Sequence, residues 1–123
     1  MPANKRAPIF YWCEMWKENY YFFIGWPPKE FEKYFWEKWG HRVDVSRADG
    51  KCLEIHHDNG ARIQAIWTRD RRGRKLQRTL AHECIHAAYH TLDARGVKLC
   101  VDNHEALNYL VELLIGKAYG QAR

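Results

Sequence analysis

The sequence predicts an α+β domain, in which a small antiparallel or mixed sheet packs on a helix that carries two histidines four residues apart and on a second, C-terminal helix. Three observations lead there. Two turn pairs, Asp49-Gly50 and Asn59-Gly60, stand between short alternating runs, the pattern of neighbouring antiparallel strands. The segments from Gln77 to Leu92 and from about Asp102 or Asn103 to Tyr119 instead carry apolar residues at three- and four-residue spacing, the period of a helix. Finally, 123 residues with 46% apolar and 28% charged content suit one folded domain with one core, spanning 1–123, rather than two domains or a disordered chain.

Taken in order, residues 1–8 are expected to form a flexible lead-in. Residues 9–13 and 20–24 read as short strands around a polar turn at Lys17-Glu18-Asn19. Pro27-Pro28 then opens a helix, because proline suits the first turn, and Gly40 ends it. Phe31, Tyr34, Phe35 and Trp39 recur along it at helical spacing. The aromatic density of residues 10–39 suits a carbohydrate or peptide platform, but core packing is the preferred reading, since aromatics bury the most surface per residue. Arg42–Ser46, Cys52–His56 and Ala61–Trp67 follow as three adjacent antiparallel strands. A basic loop leads from the last of them into the helix Gln77–Leu92. On that helix Leu80, Ala81, Cys84, Ile85, Ala88 and Leu92 gather on one side, and His82, His86 and His90 gather opposite with Glu83 beside them. Gly96 breaks the helix and Val97–Val101 is expected to be extended. The closing helix turns Ala106, Leu107, Leu110, Leu113 and Leu114 inward.

Charge and cysteine content narrow the function classes. Net charge is +5, with much of the excess in Arg69, Arg71, Arg72, Arg74, Lys75 and Arg78. Either a solvated loop or contact with nucleic acid or an acidic partner accounts for such a run. It lacks interleaved aromatics and any nucleic-acid fold signature, so nucleic acid is not the favoured partner. No apolar run reaches the roughly 20 residues that a membrane span needs, and no secretory h-region follows the N-terminus, so a cytoplasmic protein without membrane contact is expected. Cys13, Cys52, Cys84 and Cys100 form no Cys-x-x-Cys pair and are expected as free thiols.

The chemistry concentrates in His82-Glu83-Cys84-Ile85-His86, a His-Glu-x-x-His motif. Residues four apart on a helix sit one above the other, so both imidazoles face the same way and form half of a tetrahedral zinc site. The adjacent Glu83 is placed to take a proton from water at that metal. A catalytic zinc wants a third protein ligand, and three residues compete. His90 continues the row but stands about 12 Å of helix rise from His82. His104 and Glu105 lie at the start of the last helix, where Glu105 also fits a capping box built on Asp102-Asn103-His104-Glu105.

These residues resemble those of the zincins, and among them the gluzincin type. In that superfamily the motif lies on an active-site helix and a glutamate on a later helix is the third ligand. The resemblance covers roughly residues 60–118 and is closest to small single-domain zincin-like proteins encoded by phages and bacteria. It implies Zn²⁺ held by His82, His86 and Glu105, with Glu83 as general base. It also implies that Ala61–Trp67 is the edge strand that holds an extended peptide. Tyr109 is the first candidate for stabilising the oxyanion, with His104 and His90 as alternatives. The activity this implies is zinc-dependent hydrolysis of peptide or protein substrates. The alternative is a zinc-stabilised binding protein without catalysis, directed at a host protein or nucleic acid.

Overall fold

The computed structural model describes residues 7–56, 60–102 and 104–122, residues 121 and 122 by their helical backbone only. Seven elements follow in the order β1 (Ile9–Cys13), β2 (Glu18–Ile24), α1 (Pro28–Trp39), β3 (Gly50–His56), β4 (Arg62–Thr68), α2 (Gly73–Ala94) and α3 (His104–Ala122). The expected α+β class holds. The sheet is mixed, in the order β1-β2-β4-β3, with β1 antiparallel to β2, β2 parallel to β4 and β4 antiparallel to β3.

Alternation along the strands sends side chains to two separate cores. Tyr20, Phe22 and Ile66 face α2 and α3, meeting Leu80, Cys84, Ala88 and Leu92 from α2 and Leu110, Leu114 and Ala118 from α3. Phe23, Ile63, Ala65 and Trp67 face the other way, onto Phe31, Phe35 and Trp39 of α1. Here the aromatics of the N-terminal third do pack as a core. Phe31 and Trp67 rings stack at 5.6 Å, and Phe23 meets Phe31 edge-on at 4.9 Å, pairs worth about 0.5–1.5 kcal/mol each beyond burial. Proline at the first turn and Gly40 in the left-handed conformation (φ 70°) bound α1 as expected, the Gly40 N–H donating to the Trp36 carbonyl at 2.9 Å.

Several expectations need correction. The first hairpin turn is formed by residues 14–17, and β2 already begins at Glu18. Glu18 is fully buried and pairs with Arg62 of β4 at 3.2 Å, so it belongs to the sheet. Arg42–Ser46 is not a strand. Val45 is buried as its alternation demands, but its N–H is bonded by the Glu32 carboxylate, and Arg69 donates to the carbonyls of Val45, Ser46 and Ala48. Side chains supply the partners that a neighbouring strand would have supplied. There is therefore no three-stranded meander: β3 is left as an edge, and β4, expected at the edge, is inserted between β2 and β3. Helix α2 starts four residues earlier than Gln77, and Val97–Val101 is irregular. Residues 1–6 of the expected flexible lead-in, Asn59 of the second turn pair, and Asn103 of the possible capping box lie outside the described residues.

Candidate metal centre

The motif lies in the middle of α2, and the flanks of that helix decide what it meets. Helix α2 covers the β4-β3 half of the sheet and α3 covers the β1-β2 half. Leu76, Leu80, Cys84, Ala87, Ala88 and Leu92 fill the space beneath α2 and beside α3. Glu83 and Thr79 turn toward the opposite flank, over the start of β3. A Cβ added at Gly50 would stand 2.3 Å from Thr79 Cγ2 and 3.2 Å from Glu83 Oε2. The helix is thus rotated from the expected orientation: Ile85 is 46% exposed, while Glu83 is only 7% exposed.

The helical spacing itself brings His82, Glu83 and His86 together, and the rotation decides that Glu83 is the buried one. One ligand atom from each lies within 4.8 Å of the others, and the two Nε2 atoms are 3.1 Å apart. Two nitrogens on one tetrahedral zinc, at about 2.0–2.1 Å from it, stand about 3.3 Å apart. The donor types and spacing therefore fit half of a zinc site. Both imidazoles are open to solvent, and their ring centroids are 4.7 Å apart. Glu83 is the buried member. Desolvation raises its carboxyl above the ordinary glutamate value, and the nearby His82, His86 and Lys51 oppose that rise. A carboxyl so placed is a proton acceptor beside the imidazole pair.

The other residues singled out from the sequence stand elsewhere. His90 is turned to the sheet, where its Nδ1 lies 3.4 Å from Gln64 Oε1. Gln64 is fully buried, and its amide donates to Glu18 Oε2 at 2.8 Å. Glu105 is exposed in the first turn of α3 and is not a member of the His82, Glu83, His86 group. Two facts keep it away. The N-terminal half of α3 lies by the β1–β2 turn, where Ala106, Tyr109, Leu110 and Leu113 line a groove with Met15 and Trp16. Tyr119, near the end of α3, lies close enough to Cys84 for that thiol, after burial, to raise its hydroxyl pKa. Fourteen residues separate Glu105 from Tyr119, about 21 Å of helix rise. Tyr109 is 68% exposed in that distant groove, and His104 shares the first turn of α3 with Glu105. Neither Glu105 nor His104 joins the His82, Glu83, His86 group, and Tyr109 lines the groove beside Met15 and Trp16.

Gly50 and the edge position of β3 escaped the reading of the sequence. Gly50 was legible only as half of a turn pair. Glycine at the start of a strand also signals close approach by another backbone or side chain, and that is its role here. The edge strand beside the motif helix is β3, not Ala61–Trp67, because β4 pairs on both sides.

No family model, curated protein or solved structure matches this chain.

Proposed function

We propose that this protein is a zinc-dependent hydrolase of peptide bonds, with His82 and His86 as metal ligands and Glu83 as general base. The observation that carries the reading is the convergence of two imidazoles and one partly desolvated carboxylate within 4.8 Å on a single helix face. Zinc, when bound, supplies Lewis acidity and lowers the pKa of water toward about 7. Glu83 accepts a proton from the attacking water and returns it to the leaving amine. Its burial favours the neutral form, so it holds the transferred proton at lower cost than an exposed carboxylate would. The edge of β3 runs alongside, and an extended peptide can add to it through main-chain hydrogen bonds. This moves the substrate strand from Ala61–Trp67 to Gly50–His56.

The resemblance implies Glu105 as the third ligand, and its substitution tests that role. With α3 placed as it is, Glu105→Gln should leave zinc affinity within about twofold. A tenfold loss, about 1.4 kcal/mol, would mean that the first turn of α3 reaches the metal. The decisive experiment concerns Glu83. Glu83→Gln should keep bound zinc and lose peptide hydrolysis, whereas His82→Ala should lose the metal. Undiminished hydrolysis by the Glu83→Gln protein would remove the mechanism.

Two protein ligands, with no oxyanion partner beside them among the described residues, also suit a zinc-stabilised binding protein that does not catalyse. Metal content measured beside hydrolysis of a broad peptide library separates the two readings: stoichiometric zinc without turnover selects the second.

A further inference from the structure

The fold divides the six cations of the basic segment 69–78 into two kinds. Arg69 is structural: its guanidinium donates to three carbonyls of the 45–48 loop and lies over the Trp67 ring. Lys75 pairs with Asp49 at 3.1 Å. Arg71, Arg72, Arg74 and Arg78 are exposed, and none makes an ion pair or a side-chain hydrogen bond among the described residues.

Their placement is not that of a loose loop. Arg71 lies against Gly25, where a Cβ would come within 2.7 Å of the Arg71 Cβ, so this end of the segment is seated on the sheet. Arg78 and Arg74 lie on α2, one and two turns ahead of His82, and continue the same four-residue ridge. Helix α2 also begins without a cap. Arg72 is extended with no side-chain cap hydrogen bond, and no acidic residue stands in the first turn. The helix therefore presents the positive end of its dipole and, among the described residues, uncapped N–H groups beside four guanidinium groups without an ion-pair partner. That is where a negative charge is normally favoured, by about 0.3–1 kcal/mol.

We propose that this end of α2 binds the phosphate backbone of nucleic acid through Arg71, Arg72, Arg74 and Arg78. Helix N-termini and arginine forks both suit phosphate oxygens. An acidic protein fits less well. A protein interface draws on apolar and aromatic anchors, and Leu76, the sole large apolar side chain of the segment, is buried. A polyelectrolyte needs no such anchor, because release of its counterions drives binding. With no aromatic in the segment to stack on bases, the contact reads the backbone and has little sequence preference.

The test is fluorescence anisotropy with a labelled mixed-sequence single-stranded 20-mer across a salt series. Four phosphate contacts give a slope of log K against log salt of about −3. Arg74→Glu with Arg78→Glu should weaken binding at least tenfold and flatten that slope. Lys29→Glu with Lys33→Glu changes net charge equally, on exposed positions of α1 across the sheet, and should leave affinity within twofold. Salt-independent binding, equal losses in the two double variants, or tighter binding of polyglutamate of the same charge would each overturn the proposal. The measurement reads binding without added zinc and without hydrolysis, so its failure and that of the peptidase reading are separate.

Discussion

Gly50 and Glu83 show how one absent methyl group shapes the surface beside the His82–His86 pair. With a Cβ at position 50 only 2.3 Å from Thr79 Cγ2, α2 would have to lift from β3. Gly50→Ala should therefore destabilise the protein by about 1–3 kcal/mol, read as a shift in the urea midpoint. A neutral result would mean that α2 does not rest on the edge strand. The thiols make a second prediction at this scale. Cys13 and Cys84 are buried and Cys100 is exposed. Burial and the neighbouring Glu83 push the Cys84 thiol to about 12, and desolvation raises Cys52 strongly. A thiol reagent at neutral pH should titrate one cysteine quickly in the native protein and all four after unfolding. Fewer than four in the unfolded, unreduced protein would reveal a disulfide. The pairing of His82 with His86 was legible at this scale, because side chains four apart on a helix must be neighbours.

Helix α2 was legible as a helix, but not in its orientation. Its period is set by local geometry, whereas the face it buries depends on what lies on either side. Ile85 and Ala81 look like core positions, yet Ile85 faces solvent, and Glu83 and Thr91 are buried instead. Thr91 is inward because it has a partner there: its hydroxyl donates to the Ala87 carbonyl at 2.9 Å and accepts from Tyr20 Oη at 2.6 Å. Tyr20→Phe should cost about 0.5–1.5 kcal/mol by removing the donor, measured by equilibrium unfolding. The start of α2 gives a prediction of opposite sign. Arg72→Asp supplies the missing cap and complements the dipole, and should stabilise by about 1 kcal/mol. A lower melting temperature in that variant would contradict the uncapped start. Arg42–Ser46 misled for a related reason. Its alternating valines are inward, but a strand also needs a partner, and Glu32 and Arg69 took that place.

In the whole molecule, β4 joins the two cores, and the resulting placement of α2 and α3 decides which side chains share a site. The fully buried Glu18 lies where β2 and β4 meet, 3.2 Å from Arg62 and 3.7 Å from Arg95 at the end of α2. Arg62→Met would strip this carboxylate of its nearer cation and should destabilise by about 3 kcal/mol, read from unfolding curves. Metal binding tests the site globally. If His82 and His86 hold zinc, an excess of 100 times Kd should add about 2.7 kcal/mol of stability, and His82→Ala should abolish the rise in melting temperature. A parent protein that melts unchanged with zinc would remove the metal reading. The α+β class, the bounds of α1, the hairpin partners β3 and β4, and the His82, Glu83, His86 cluster all followed from the amino-acid order, because each depends on turns and periods that span fewer than twenty residues. The insertion of β4 between β2 and β3, the transfer of the edge to Gly50–His56, and the position of the N-terminal half of α3 by the β1–β2 turn depend on contacts between distant segments. No local period encodes those contacts; they were settled by which surfaces could be buried together.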